Sequence, residues 1–93
     1  MTVRVSVSRR AKAEIEEIEA FLEEHSVAAA GRFSEAMERT YQLLSQHPEL
    51  GSAGARPRTR RLVVGNYIVS YRRRGDDVEI FAVRNARRRD ARF

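Results

Sequence analysis

The feature that most constrains the fold is a series of short strand patterns between residues 61 and 83, joined by tight turns. Gly65-Asn66 and Gly75-Asp76 suit such turns, because glycine and asparagine tolerate the left-handed backbone that a hairpin of this length requires. A tight turn places its two flanking strands side by side and antiparallel. The sequence therefore predicts an antiparallel meander made of residues 61–64, 67–72 and 78–83.

The residues before this meander show one strand pattern and two helical patterns. Residues 2–7, TVRVSV, alternate valines with polar side chains, which predicts a half-buried strand. Apolar residues then recur at helical spacing from Arg9 to about Glu24 and from Ser26 to about Gln46. Because the break at His25-Ser26 is so short, the two helices are expected to form an antiparallel hairpin.

This order of elements predicts an α+β fold of type βααβββ, in a single domain that covers residues 1–93. Each apolar stripe needs a partner layer, so the two-helix hairpin should pack on one face of an antiparallel sheet. Pro48 ends the second helix, and residues 48–59 form a loop back to the sheet. The strand at 78–83 is apolar on both faces, which is typical of a central strand. The sheet face without helices, bordered by arginines, is the expected site.

The charge is distributed unevenly along the chain. The net charge is +5, but residues 1–50 carry −3 and residues 51–93 carry +8. Such asymmetry favours a basic face that meets an anionic partner, either a nucleic acid or an acidic protein segment. The alternative is that the arginines are only solvated. The glutamates of the first helix, Glu14 among them, are interpreted as a solvated acidic face.

The predicted hairpins divide the arginines into two clusters at opposite ends of the sheet. One cluster lies where the strand at 61–64 begins and the strand at 67–72 ends, and consists of Arg60, Arg61, Arg72 and Arg73. The other follows the last strand, in a basic tail over about residues 84–93, and consists of Arg84, Arg87, Arg88 and Arg89.

Several classes of chemistry are disfavoured by the composition. The chain has no cysteine, and its histidines, His25 and His47, stand at opposite ends of the second helix, roughly 30 Å apart. We therefore expect no metal site, no cofactor and no catalytic pair of acid and base. No apolar run approaches the roughly 20 residues of a membrane helix, and no signal peptide is visible. A cytoplasmic protein is expected.

Five segments of the chain form an ordered set, SRRAKAEIEEIEAFL, AAGRFSEAMERTYQLL, HPELG, RRLVVGNYIVSYR and VEIFAVRNARRRD. In this order they resemble the ParE/RelE superfamily of toxins from type II toxin–antitoxin systems, and most closely its ParE branch. The resemblance implies a βααβββ fold and a ParD-like antitoxin that wraps the toxin in a hetero-oligomer. For ParE-like members it also implies inhibition of DNA gyrase by direct protein contact, without enzymatic activity.

The RelE branch of the same superfamily implies a different activity, ribosome-dependent mRNA cleavage. That reaction needs cations at the phosphate and a group for proton transfer. In RelE-like members, an arginine in the strand that corresponds to residues 67–72 of this chain and a tyrosine near the C-terminus supply these groups. Here Ile68 takes the place of that arginine, and the chain ends in Arg92-Phe93. Only Arg87 is available to stand in for a second basic residue, so the set is incomplete and a nuclease is disfavoured. The nuclease is kept as an alternative function, and a basic binding module without toxicity is the other alternative.

The binding surfaces follow from this interpretation. The basic tail, Arg84 and Arg87–Arg89, is the predicted contact with the target. The antitoxin is expected to add a helix or strand beside the helices and the sheet edge. Its candidate contacts are Phe21, Tyr41, Tyr67 and Phe81. Direct nucleic-acid binding is possible but not favoured, because aromatic residues at these spacings suit core packing better than base stacking.

Overall fold

The computed structural model describes residues 2–87, which form two helices and one sheet of five strands. In chain order the elements are β1 (Val5–Val7), α1 (Arg9–His25), α2 (Val27–Gln46), β2 (Ser52–Ala53), β3 (Thr59–Val64), β4 (Tyr67–Arg74) and β5 (Asp77–Asn85). The predicted order, with a helical hairpin between the first strand and the meander, is confirmed. The short strand β2 is an addition, because it lies inside the segment predicted to be a loop.

The tight turns fix the register of the meander. Val64 pairs with Tyr67 across the first turn, and Arg74 pairs with Asp77 across the second. Gly65 and Gly75 both have positive φ, at 59° and 63°, as these turns require. The strand order is β1-β5-β4-β3-β2, so β5 is an interior strand between β1 and β4, as its apolar composition predicted, and β4 is the middle strand.

Strand β1 joins the sheet beside β5 and runs parallel to it, so the sheet is mixed and antiparallel only from β5 to β2. The strand is also shorter than the predicted range of 2–7. The N–H of Val3 donates to the carbonyl of Ser45 at 2.8 Å, and the Ser45 hydroxyl donates to the carbonyl of Val3 at 2.7 Å. The residues before β1 are therefore fastened to the end of α2.

Serine side chains cap both helices. The hydroxyl of Ser8 accepts from the N–H of Ala11, and that of Ser26 accepts from the N–H of Ala29, each at 3.1 Å. The N–H of Ser26 also donates to the carbonyl of Leu22 at 2.6 Å. One residue thus ends α1 and begins α2, which makes the hairpin tight.

Both helices pack on the same face of the sheet and enclose the hydrophobic core. The sheet contributes five large side chains to it, Val69, Tyr71, Val78, Ile80 and Val83. The helices contribute Ala11, Ile15, Phe33, Met37 and Leu44.

A β-bulge at Phe81 changes which residues of β5 face the core. Tyr71 pairs with Ile80 and Ser70 pairs with Ala82, so Phe81 stands opposite no residue of β4. Such an extra residue shifts the alternation of the side chains that follow it. Val83 therefore joins Ile80 in the core, whereas strict alternation along β5 would place Ala82 on the same face as Ile80.

Within residues 2–87, neither helix combines the length and the apolar character that crossing a membrane would need.

Candidate protein-binding surfaces

The sheet face without helices is closed at its centre, contrary to the expectation of an open site. Ser70 and Ala82 form a cross-strand pair there, and their exposed fractions are 1% and 0%. The Ser70 hydroxyl has no hydrogen-bond partner within residues 2–87. Arg61 pairs with Ser70 across β3 and β4, and Ile68 precedes Ser70 by two residues, so both are larger neighbours on the same face. Any binding on this face therefore involves its margins.

The predicted cluster of Arg60, Arg61, Arg72 and Arg73 does assemble at one end of the β3–β4 hairpin, where Thr59 pairs with Arg72. Side chains alternate along each strand, however. Arg61 and Arg72 lie on the face without helices, whereas Arg60 and Arg73 lie on the side that the helices cover. The four arginines consequently do not form one continuous patch.

Arg60 is engaged by the loop that follows α2. Its guanidinium donates to the carbonyls of Gly51 at 2.7 Å and Glu49 at 3.3 Å. The N–H of Gly51 in turn donates to the buried Tyr71 hydroxyl at 2.7 Å. These contacts hold the loop against the sheet, so Arg60 has a structural role in this part of the molecule.

Two arginines of β4 share one carboxylate on β5. Arg72 and Arg74 reach Glu79 at 3.0 and 3.2 Å. The guanidinium carbon of Arg72 also lies 5.5 Å from the centroid of the Phe81 ring. This places Phe81 on the face without helices, beneath a cation, where a cation–π contact stabilises both side chains.

The second predicted cluster begins at the opposite end of the sheet, as expected. The N–H of Ala86 donates to the carbonyl of Asn66 at 2.8 Å, which places the end of β5 beside the first turn. Arg84 belongs to β5, so the basic tail starts later than the predicted residue 84. Arg87 is exposed, and its N–H donates to the side chain of Asn85 at 2.9 Å. Arg88 and Arg89 lie outside the described residues.

Two of the four aromatic candidates for antitoxin contact lie in one groove. Phe21 and Tyr67 line a cavity of about 210 Å³ between α1 and the end of β5, hereafter the α1–β5 groove. Phe21 is 57% exposed and stacks on His25 with ring centroids 4.4 Å apart. Tyr67 contacts Phe33 edge to face at 5.0 Å. The groove thus offers an exposed aromatic ring beside the sheet.

The other two candidates lie elsewhere, since neither Tyr41 nor Phe81 lines this groove. Tyr41 is half-buried on α2. Burial, together with the negative charges of Glu38 and Glu19, raises the pKa of its hydroxyl above the usual value. The predicted aromatic set therefore does not form a single surface.

Glu14 is a residue of the groove that sequence reasoning assigned to a solvated face. Its carboxylate accepts from the N–H of Val83 at 2.9 Å and pairs with the Arg84 guanidinium at 3.0 Å. Its side chain is only 15% exposed. The available signal was helical spacing, because Glu14 stands between Ala11 and Ile18 on the edge of the apolar stripe.

Metal chemistry gains no support from the described residues, because residues 2–87 contain no group of three or more potential side-chain ligands. The side chains that the structure brings together include arginines with carboxylates, and aromatic rings with a histidine, an arginine or another aromatic ring. Such arrangements are suited to binding a protein partner.

Comparison with known proteins agrees with the fold. A family model described as the ParE toxin of the type II toxin–antitoxin system parDE matches residues 5–90. Among solved structures, the chain is similar to one described as the chromosomal ParDE TA system from P. aeruginosa, with a TM-score of 0.74 and 16% sequence identity, over 90% of this chain and 96% of that chain. No curated protein matches. Because the family model spans nearly the whole sequence, the chain belongs to the ParE toxin family of type II toxin–antitoxin systems.

Proposed function

We propose that this chain arrests growth by binding DNA gyrase directly, without enzymatic activity, and that a cognate ParD-like antitoxin neutralises it in a hetero-oligomer. The family match over residues 5–90 is the observation that carries the proposal. The toxin and its antitoxin act in the cytoplasm, where gyrase is found.

The residues on the sheet face without helices favour binding to a protein target over cleavage of RNA. An RNA nuclease of this superfamily needs a cation in the middle of the strand corresponding to β4, where charge develops on the phosphate. Ile68 stands there, paired with Val63 on one side and Arg84 on the other. Arg84 is held by Glu14, and Arg72 by Glu79. These cations are already paired with carboxylates, and this arrangement favours a binding role.

The basic end of the molecule is the proposed contact with gyrase. It comprises Arg84 and Arg87 at the end of β5, followed in sequence by Arg88 and Arg89. Arg87 is exposed, and Arg84 retains a quarter of its side-chain exposure. A cluster of guanidinium groups favours an acidic surface on the partner and speeds association with it.

Purified toxin and purified gyrase test the proposed target. We expect the toxin to inhibit supercoiling and to increase the yield of cleaved DNA in gyrase complexes. Unchanged supercoiling and cleavage at high toxin concentration would contradict the proposal. In that case, mapping transcript ends after induction separates the alternatives. Cuts at codon positions would indicate an mRNA endonuclease, whereas intact transcripts and normal growth would indicate a binding module without toxicity.

The antitoxin is tested separately by co-expression. The product of an open reading frame that adjoins the toxin gene should copurify with the toxin and restore growth. A neighbouring protein that neither binds nor restores growth would contradict this part of the proposal.

A further inference from the structure

Within residues 2–87, a strand covers the outer edge of β5 along only part of its length. β1 pairs with β5 from Val78 to Ile80, whereas β5 continues to Asn85. Beyond β1, the Ser8 hydroxyl reaches the carbonyl of Phe81 at 3.5 Å. The next outward N–H, that of Val83, donates to the Glu14 carboxylate. The last part of this edge is thus closed by side chains instead of a strand.

Backbone direction shows which groups this edge offers. Consecutive residues of a strand point their N–H and C=O alternately to the two sides. The N–H of Val83 points outward, to Glu14, and the N–H of Ala86 points inward, where it donates to the carbonyl of Asn66. The N–H and C=O of Asn85 therefore face outward, beside the α1–β5 groove that Asn85 lines.

Glu14 occupies the position that a neighbouring strand would take. Its carboxylate oxygen, 2.9 Å from the Val83 nitrogen, supplies the acceptor that a strand carbonyl supplies in a β-ladder. Its other oxygen contacts Arg84 at 3.0 Å and Arg10 at 3.4 Å. If the Glu14 side chain rotates away, the Val83 N–H needs a new acceptor.

The groove beside this edge has a definite chemical character. Ile18, Phe21 and Tyr67 provide an apolar floor. Glu14 and Glu17 provide two negative charges, and Arg84, the cation among the lining residues, is already paired with Glu14. A complementary segment is extended and carries an apolar side chain toward the floor and a lysine or arginine toward Glu17.

We propose that an extended segment of the antitoxin adds to the β5 edge at Val83 and Asn85, and that its backbone carbonyl replaces the Glu14 carboxylate at the Val83 N–H. This inference rests on the proposed antitoxin partner and names its docking register. A sheet edge that is closed by side chains instead of a strand, next to an apolar groove, provides both components of strand addition, namely backbone hydrogen bonds for affinity and side-chain contacts for selectivity.

Proline substitution tests the register. Asn85→Pro removes the outward N–H, and Asn85→Ala removes only the side chain that accepts from Arg87. The antitoxin probe is the protein from the adjoining open reading frame. We expect Asn85→Pro to bind it about tenfold more weakly than Asn85→Ala, which corresponds to about 1.4 kcal/mol. Equal affinity of the two variants would overturn the inference.

Val63→Pro is the matched control at the other edge of the sheet. Val63 is 70% exposed and precedes the Val64–Tyr67 pair that closes the first hairpin. Its N–H therefore points outward, away from β4. The inference requires that Val63→Pro bind the antitoxin as the wild type does. If Val63→Pro loses as much affinity as Asn85→Pro, proline at either edge of the sheet weakens binding. That result would also overturn the inference.

Amide hydrogen exchange tests the displacement of Glu14 without relying on a proline variant. In the wild type, the Asn85 amide should exchange about tenfold more slowly in the complex than in free toxin. In Glu14→Ala, the Val83 amide should exchange rapidly in free toxin and slowly in the complex, because the added strand supplies the acceptor. Fast exchange of both amides in a tight complex would overturn the inference while leaving the proposed function intact. An antitoxin that does not bind the toxin at all would contradict both the inference and the proposed neutralisation by an antitoxin.

Discussion

At Gly51 the loop after α2 makes its closest approach to the sheet. A Cβ at this position would lie 2.6 Å from the carbonyl oxygen of Arg61 and 2.9 Å from the Tyr71 hydroxyl. A methyl group cannot be accommodated unless the loop moves and the Gly51–Tyr71 hydrogen bond is strained. The segment HPELG, one of the five that resemble the ParE/RelE superfamily, ends at Gly51, and the close contacts there leave no room for a larger side chain.

We expect Gly51→Ala to lower the free energy of unfolding by about 1–3 kcal/mol, the usual cost of overpacking. Gly31→Ala is the control, because Gly31 lies within α2 and a Cβ there has nothing within 4 Å. Alanine at that helical position should raise the free energy of unfolding by about 0.5–1 kcal/mol. Urea denaturation measures both changes. A Gly51→Ala protein as stable as the wild type would show that the loop adapts freely.

The Tyr41 hydroxyl gives the molecule a pH-dependent stability above neutrality. Its pKa is raised by burial and by Glu38 and Glu19, whereas in the unfolded chain a tyrosine ionises near pH 10, as is usual. The folded state therefore keeps a proton that the unfolded state loses, and stability falls as the pH rises beyond about 10. Tyr41→Phe lacks this ionisation. Between pH 8 and about pH 11, urea denaturation should show that the free energy of unfolding falls more for the wild type than for Tyr41→Phe. Equal decreases in the two proteins would contradict the role of the Tyr41 hydroxyl.

At the scale of elements, the helical hairpin depends on Ser26, which serves both helices. Replacing it by alanine removes the acceptor for the Ala29 N–H at the start of α2. The expected cost is about 1 kcal/mol, as is typical for a lost N-cap. Ser52→Ala is a suitable control, because Ser52 is exposed on β2 and should change the free energy by less than about 0.5 kcal/mol. Equal denaturation midpoints for the two variants would argue against the cap.

The elements that could be predicted from the sequence are those fixed by neighbouring residues. The Gly65-Asn66 and Gly75-Asp76 turns determine the meander, and the caps at Ser8 and Ser26 determine where the helices begin. The alternating pattern of residues 2–7 indicates a strand but carries no information on its partner. Its parallel pairing with β5 joins residues about seventy positions apart, and such a contact leaves no local pattern.

The same limit explains what was missed at the candidate surfaces. The extra residue at Phe81 exchanges the faces of Ala82 and Val83, and no turn residue or glycine marks this bulge in the sequence. Glu14 was assigned to a solvated face because its partners, Val83 and Arg84, come from the far end of the chain. The end of the sheet at which Arg60, Arg61, Arg72 and Arg73 lie could be predicted, because hairpin register alone determines it.

At the scale of the whole molecule, the described arginines that border the meander divide between the two ends of the sheet. Arg87 follows β5 beside the Gly65-Asn66 turn, at the proposed gyrase-binding end. Arg56 lies in the loop before β3, at the opposite end of the sheet. Both side chains are exposed, so replacing either removes one positive charge with little effect on folding.

This pair of arginines separates a local contact from a general effect of charge. Arg87→Gln should raise the toxin concentration needed for half-maximal inhibition of supercoiling by about three- to tenfold, because a charged contact at an interface is lost. Arg56→Gln carries the same net charge and should inhibit as the wild type does. If both variants weaken equally, and if added salt weakens the wild type to the same extent, the positive charge acts as a diffuse field and the basic end is not the contact. If only Arg56→Gln weakens, the gyrase-binding surface belongs at the other end of the sheet, next to the Arg72–Glu79–Arg74 cluster.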